Sequence, residues 1–364
     1  MRQKITDPHV SKKPRLIGAF LCVARNFPLS ERGFWFKKQL IFIGISIPFL
    51  ILASTIDYNV IVRFSSLAYI ILIILLVGVL FTDPIGGASS WFKITETISF
   101  QPSEIGKVIT ILFLAFLLNK LQVRGRGEIN KFWKLLIFLF FAVVPVLLII
   151  KEPDYGTAMV YMVGIIFMIF VSGIDKKYII ATLILVAIIA PIAYKYLPGH
   201  ALKRIEVFLN PDSDRTGAGW NISQSKLAIG AGQAFGMGLL KGNQTQLGFL
   251  HPKTTDFIFS VIGEELGFIA TCFVTILYIV LVTKSIYIAK TAKDNIGSYI
   301  AIGIAGMFFF HMVENIGMTI GLMPITGIPL PFVSYGGSSL VSNFICIGLL
   351  LNISSRRQKA IFVE

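Results

Sequence analysis

A chain of 364 residues with 55% hydrophobic and only 14% charged residues is too apolar to close as a water-soluble globule, where charged residues make up roughly a quarter. Its mean hydropathy is +0.78, and its length leaves room for many segments of about 20 residues, enough to cross a bilayer. The net charge of +14 is spread over short Lys and Arg clusters between apolar runs. That pattern argues against a nucleic-acid face and fits the cytoplasmic loops of a membrane protein.

Residues 1–36 form an atypical basic N-terminal region with one short apolar stretch, Leu16–Ala24, and no cleavable signal pattern. Apolar runs follow at Leu40–Ser54, Ser65–Phe81, Ile105–Leu118, Leu135–Ile150, Tyr155–Val171 and Tyr178–Tyr196. A polar stretch at 197–255 separates them from Phe257–Val282, Ser298–Ile320 and Leu340–Ile353. These runs predict an all-α integral membrane protein, a polytopic bundle of about nine spanning helices. Residues 37–357 make up the membrane domain, and 358–364 a cytoplasmic tail. Cys22, Cys272 and Cys346 are far apart, which suits small buried hydrophobes and forms no metal-type cluster.

Alternating spans put Lys120–Lys134, Lys176–Lys177, Lys284–Lys293 and the basic C-terminus on one side, which the charge rule makes cytoplasmic. The loops at 82–103, 151–154, 197–255 and 321–339 then face outward. The N-terminus breaks this rule, because nine spans put its basic residues outside. Either Leu16–Ala24 re-enters the membrane, or a first span has been lost.

Ionisable groups at membrane depth are costly and read as functional by default. Gln101-Pro102-Ser103-Glu104 opens a span, with Pro102 suited to the first turn. Glu104 and Lys107 are three apart and share a helical face. They form either a structural ion pair or a charged lining of an inner cavity. Asp154 stands where two spans meet, either as a helix cap or in that cavity. Asp256 enters a span from the long loop as a cap or as a reactive carboxylate, with Glu264 and Glu265 two turns on. Residues 321–339, with three prolines and four glycines, cannot form a regular span. Such backbone is tolerated at depth only against protein or a water-filled cavity.

The run from Asn315 to Ser339, with Pro324, Gly327, Pro329, Pro331, Phe332 and Ser334-Tyr335-Gly336-Gly337-Ser338-Ser339, resembles the diagnostic motif of the SEDS family, which includes RodA, FtsW and SpoVE. Gln101–Glu104, Pro153-Asp154-x-Gly156-Thr157, Gly219-Trp220-Asn221 with Gln224-Ser225, and Thr255–Gly267 match further motifs of that family. Ile56-Asp57-Tyr58 and the Gly-Trp-Asn loop favour RodA, the elongation member, over FtsW, the division member.

The resemblance implies a peptidoglycan glycosyltransferase in the bacterial cytoplasmic membrane. Such an enzyme polymerises lipid II onto an undecaprenyl pyrophosphate-linked glycan at the outer face. It would work with a class B penicillin-binding protein transpeptidase in the elongation machinery, and a divalent cation, magnesium or manganese, could assist. A lipid II flippase is the alternative, since it needs a similar cavity. The resemblance makes Asp256 the catalytic residue. It gives Glu104, Lys107, Asp154, Arg204, Glu264, Glu265, Ser334, Gly336 and Gly337 roles in lining or supporting the cavity. Positive charge for the leaving pyrophosphate would come from Arg204, Lys226, Lys241, Lys253 or Lys107. Two departures stand out: Gln233 occupies a position where a glycine is expected, and Met237 one where a lysine is expected.

Overall fold

The computed structural model describes residues 29–84, 89–93, 95, 99–182, 184, 188, 199–214, 216–250, 252 and 255–357. Leu16–Ala24 and the 358–364 tail lie outside them. The protein is an all-α polytopic membrane bundle. Its long helices are α1 (Leu29–Thr55), α3 (Ser65–Val79), α4 (Pro102–Leu121), α5 (Phe132–Lys151), α6 (Tyr155–Val171), α10 (Ile258–Thr291), α11 (Asn295–Ile320) and α12 (Gly337–Ser355). Among the described residues, five helices are long and apolar enough to cross a membrane, and α3 and α6 are shorter apolar helices. Another helix starts at Lys176, two residues before the predicted span at Tyr178–Tyr196. The helix α1 begins well before the apolar run at Leu40, so part of the basic N-terminal region is helical.

Short elements fill the loops. The helix α2 (Tyr58–Arg63) joins α1 to α3, capped by Asp57 through Asn59 N. A two-residue hairpin pairs β1 (Phe92–Lys93) with β2 (Ser99–Phe100). The stretch predicted as polar loop carries α7 (Gly199–Leu209), α8 (Ala218–Ala231) and α9 (Asn243–Gln246). Large side chains such as Ile41, Ile74, Phe140 and Phe170 are exposed. Apolar surface on that scale belongs against lipid.

The helix α11 is the axis of the bundle, with 78% of its most apolar stretch buried. Small residues let neighbours approach it closely: a Cβ on Gly303 would meet Met168 and Ile111, and one on Gly306 would meet Phe167. α1 and α12 lie side by side and parallel. Gly337 at the start of α12 touches Phe42, and Gly348 touches Leu50 and Ala53. At the other end Asn352 donates to Ala53 O at 2.9 Å, and Arg356 pairs with Asp57 at 3.1 Å. The start of α1 therefore lies on the face that carries the 321–336 loop. The opposite, basic face is tied by Tyr58 OH to Asp294 at 2.8 Å and by Arg126 to Asn295 at 2.8 Å.

Candidate active site

The loop face is organised around the segment between α11 and α12. Proline has no N–H, so Pro329 and Pro331 leave this segment short of donors. Most of its carbonyls with a described partner are met from other elements. Thr326 O accepts from Arg204 Nη1 at 3.4 Å, Ile328 O from Asn315 Nδ2 at 2.8 Å, and Pro329 O lies 3.0 Å from His311 Nδ1. Leu330 O accepts from Ser334 N at 2.9 Å, and Pro331 O from the Tyr278 hydroxyl. Thr326 Oγ1 donates to Glu314 at 2.7 Å. His311, Glu314 and Asn315 are spaced i, i+3, i+4 on one face of α11, which makes that face the template for the loop.

Asp256 lies against this template. Its carbonyl accepts from Asn315 Nδ2 at 3.0 Å, and a Cβ on Gly327 would stand 3.4 Å from its Oδ2. Ser334 Oγ accepts from Leu330 N at 2.8 Å and donates to Thr255 O at 2.6 Å. The carbonyls of Thr255 and Asp256 are thus held by one contact from the loop, through Ser334, and one from α11, through Asn315. Asp256 is half-buried. The N-cap position of α10 is Phe257, one residue beyond Asp256.

Behind this site lies a buried polar layer. Lys107 Nζ sits 2.8 Å from Glu104 Oε2, both side chains almost fully enclosed, and 3.1 Å from His311 Nε2. Ser342 Oγ donates to the same Glu104 oxygen at 3.5 Å. Asp154 caps α6 by accepting from Thr157 N at 3.0 Å, and its other oxygen accepts from Gln101 Nε2 at 2.9 Å. The two early motifs are therefore one connected structure.

Glu264 and Glu265 hold the long loop. Glu264 accepts from Gln244 N at 2.7 Å, Thr245 N at 3.0 Å and Thr245 Oγ1, while Gln246 Nε2 donates to Glu265 at 2.9 Å. α10 breaks just beyond them, at Gly267 (φ 84). The loop after α8 enters the break: Met237 N and Gly238 N donate to Glu264 O and Glu265 O, while Phe268 N and Ile269 N donate to Gln233 O and Ala234 O. Four backbone groups that would pair with one another in an unbroken helix, Glu264 O with Phe268 N and Glu265 O with Ile269 N, thus find partners in the entering loop. The approach requires glycine, since a Cβ on Gly232 would stand 1.8 Å from Gly263 O.

Of the candidate cations, Lys107 is buried and engaged by Glu104 and His311. Arg204 reaches the loop at Thr326. Lys226 lies over Gly321, the left-handed residue ending α11, with Nζ 2.5 Å from where a Cβ would stand. There its charge also complements the helix C-terminus. Lys241 is exposed, and Lys253 lies outside the described residues. Asp214 accepts from Lys203 at 3.2 Å, a bond that holds its carboxyl below the usual range, and from Ala218 N at the start of α8. Gly336 precedes α12 in extended backbone, and Gly337 serves the close contact with Phe42. His311, Glu314 and Tyr278 went unmarked in the sequence. Polar residues at 311, 314 and 315 within an otherwise apolar run were the available signal.

Among the described residues, no three His, Cys, Asp or Glu side chains are arranged to hold a metal ion. Asp256 and Glu314 flank Thr326–Gly327, but Glu314 is engaged by Thr326 Oγ1. The described side chains do not build a resident magnesium or manganese site.

Fold and site define a polytopic α-helical membrane protein with a carboxylate held at one end of the bundle by an irregular loop. The family profile described as "Cell cycle protein", covering FtsW, RodA and SpoVE, matches residues 20–359. The chain belongs to this family. It is 38% identical over 338 residues to the probable peptidoglycan glycosyltransferase FtsW of Trichlorobacter lovleyi, covering 91% of this chain and 86% of that one. It is also 38% identical over 295 residues to the peptidoglycan glycosyltransferase MrdB of Escherichia coli, covering 80% and 77%. Among solved structures it resembles a chain from work on the coordination of polymerization and crosslinking by a peptidoglycan synthase complex, with TM-score 0.79, 27% identity and 94% and 97% coverage. The RodA structure from Thermus thermophilus matches with TM-score 0.68, 25% identity and 94% and 93% coverage.

Proposed function

We infer that this protein is a peptidoglycan glycosyltransferase that polymerises lipid II into glycan strands, with Asp256 as the catalytic residue. The observation that carries the assignment is the Asp256 carboxylate, half-buried against Gly327 at the loop face. Its backbone is fixed by Asn315 and by the Ser334 bond to Thr255. A carboxylate so placed suits a general base. The acceptor sugar's 4-hydroxyl oxygen attacks the anomeric carbon of the donor strand, its proton passes to Asp256, and the undecaprenyl pyrophosphate leaves. Arg204 on α7 and Lys226 on α8, which reach the 321–336 segment at Thr326 and Gly321, supply positive charge where the pyrophosphate develops negative charge.

The loop face is the outer face of the bacterial cytoplasmic membrane in this reading, because the short basic loops gather at the opposite end. Residues 37–357 form the catalytic membrane domain. Ile56-Asp57-Tyr58 and Gly219-Trp220-Asn221 support a role in elongation rather than division. A class B penicillin-binding protein transpeptidase is the partner that would crosslink the strands. The relative whose structural work concerns polymerization coordinated with crosslinking supports that pairing.

The test is polymerisation of purified lipid II by the purified protein, with glycan length read on a gel. The wild type makes polymer, while Asp256→Ala makes none and keeps the wild-type thermal midpoint. Normal glycan from Asp256→Ala overturns the residue assignment, and no polymer from a folded wild type overturns the activity.

A further inference from the structure

His311 is fully buried and touches both the ion-pair layer and the proline-rich loop. Lys107 Nζ lies 3.1 Å from its Nε2, and the Pro329 carbonyl lies 3.0 Å from its Nδ1. An ammonium only donates, so Nε2 must be bare, and the ring's proton sits on Nδ1 facing the carbonyl. The hydrogen-bond network thus fixes one neutral tautomer. Lys107 is in turn held by Glu104, and Pro329 follows directly on Ile328, whose carbonyl shares the Asn315 amide with the Asp256 carbonyl.

We propose that His311 is a positioning residue for glycan polymerisation: its Nδ1–H holds the Pro329 carbonyl, and so the loop against which Asp256 lies, in register with the Glu104–Lys107 pair. Pro329 and Pro331 make the loop depend on donors from outside it, and only His311 meets the Pro329 carbonyl among the hydrogen bonds described. Without that donor, a buried carbonyl is left unpaired. The loop then relaxes toward another partner, and Asp256 moves with it.

This inference rests on the glycosyltransferase reading, so its test pairs activity with a measurement that needs none. His311→Leu removes both bonds. His311→Asn keeps a donor near the position of Nδ1 but cannot reach Lys107. His311→Gln extends an acceptor toward Lys107 and shifts the donor away from Pro329. Each purified full-length variant is assayed for lipid II polymerisation and for hydrogen exchange across residues 325–336. His311→Leu should lower kcat about 10- to 100-fold, the scale for a slightly misplaced catalytic group, with KM for lipid II unchanged. Its loop amides should exchange faster. His311→Asn should recover most of both losses, and His311→Gln should not.

Unchanged kcat and exchange in His311→Leu overturns the proposal. So does an Asn variant no better than Leu, a Gln variant better than Asn, or a loss confined to KM. If His311→Leu does not fold, the Asn and Gln comparison decides by the same criteria. Should the wild type make no glycan, the activity reading fails, while hydrogen exchange still tests the loop contact alone.

Discussion

The side-chain amide of Asn315 donates to the backbone carbonyl of Asp256 at 3.0 Å and to that of Ile328 at 2.8 Å. One buried group thus fixes the distance between the start of α10 and the proline-rich loop. Asn315→Leu keeps the approximate volume and removes both donors. Each abandoned carbonyl costs about 1–3 kcal/mol, and the carboxylate loses its placement. The expected result is a lower thermal midpoint with kcat reduced up to about 100-fold. A variant with a lowered midpoint but wild-type kcat would separate stability from placement and refute this role.

The Glu104–Lys107 pair is buried, so removing one partner strands the other charge at a cost of about 3–5 kcal/mol. Glu104→Gln and Lys107→Met should both be poorly folded. The swap of Glu104→Lys with Lys107→Glu restores the pair and should recover the thermal midpoint. It should not recover kcat, because a carboxylate at 107 draws the imidazole proton to Nε2 and away from Pro329. Full activity in the swapped protein would show that the pair acts on its own.

Gln233 has φ 48, a left-handed conformation that costs a non-glycine residue about 1–2 kcal/mol. Its carbonyl receives Phe268 N at the break in α10, so the conformation cannot relax without losing that bond. Gln233→Gly should therefore raise stability by up to about 1 kcal/mol after glycine's greater unfolded-state entropy is subtracted. Gly236→Ala should do the opposite, by about 1–3 kcal/mol, since its Cβ would stand 2.3 Å from Glu265 O and its φ is 81. Thermal midpoints of the two variants check both signs. A stable Gly236→Ala would mean that the loop does not enter the helix break.

The apolar runs located the long helices because lipid demands continuous hydrophobicity along a span. The run Tyr155–Val171 coincides with α6, and Ser298–Ile320 misses only the Asp294 cap and first turn of α11. Polar ends were less legible. α10 continues to Thr291 past the predicted end at Val282, because Lys284 and Lys290 keep helical geometry once outside the apolar layer. The helices α8 and α9 left no periodic apolar signal strong enough to separate them from loop, while α7 is amphipathic but too short to span and so was hidden within the polar stretch. At the site, spacing alone put Glu104 with Lys107, three residues apart on one helix. The links from His311 to Lys107 and from Asn315 to Asp256 span 204 and 59 residues, and no local pattern encodes such distances. Glu264 and Glu265, expected to line or support the cavity, accept hydrogen bonds from Gln244, Thr245 and Gln246 and so hold the long loop.

Orientation in the membrane can be tested by labelling. The face opposite the loop carries Lys120, Arg124, Arg126, Lys176, Lys177, Lys284, Lys290, Lys293, Arg356 and Arg357, in short connections and helix ends where the charge rule is strongest. That face should be cytoplasmic. The parallel packing of α1 on α12 adds a constraint that the charges do not give: Gly337 meets Phe42 at the loop face, and Arg356 meets Asp57 at the basic face. Lys37, at the beginning of the apolar part of α1, must therefore share a side with the long loop, although its own charge favours the other. Single cysteines replacing Lys37, Arg126, Asn243 and Arg357, in a background lacking Cys22, Cys272 and Cys346, separate the two arguments. All four positions are exposed. In intact cells an impermeant maleimide should label Lys37→Cys and Asn243→Cys and spare Arg126→Cys and Arg357→Cys. Labelling at 126 would invert the bundle and put Asp256 in the cytoplasm, away from the polymer it is proposed to extend. Protection at 37 with labelling at 243 would instead show that α1 does not pack parallel to α12, leaving the charge rule intact and the helix pairing wrong.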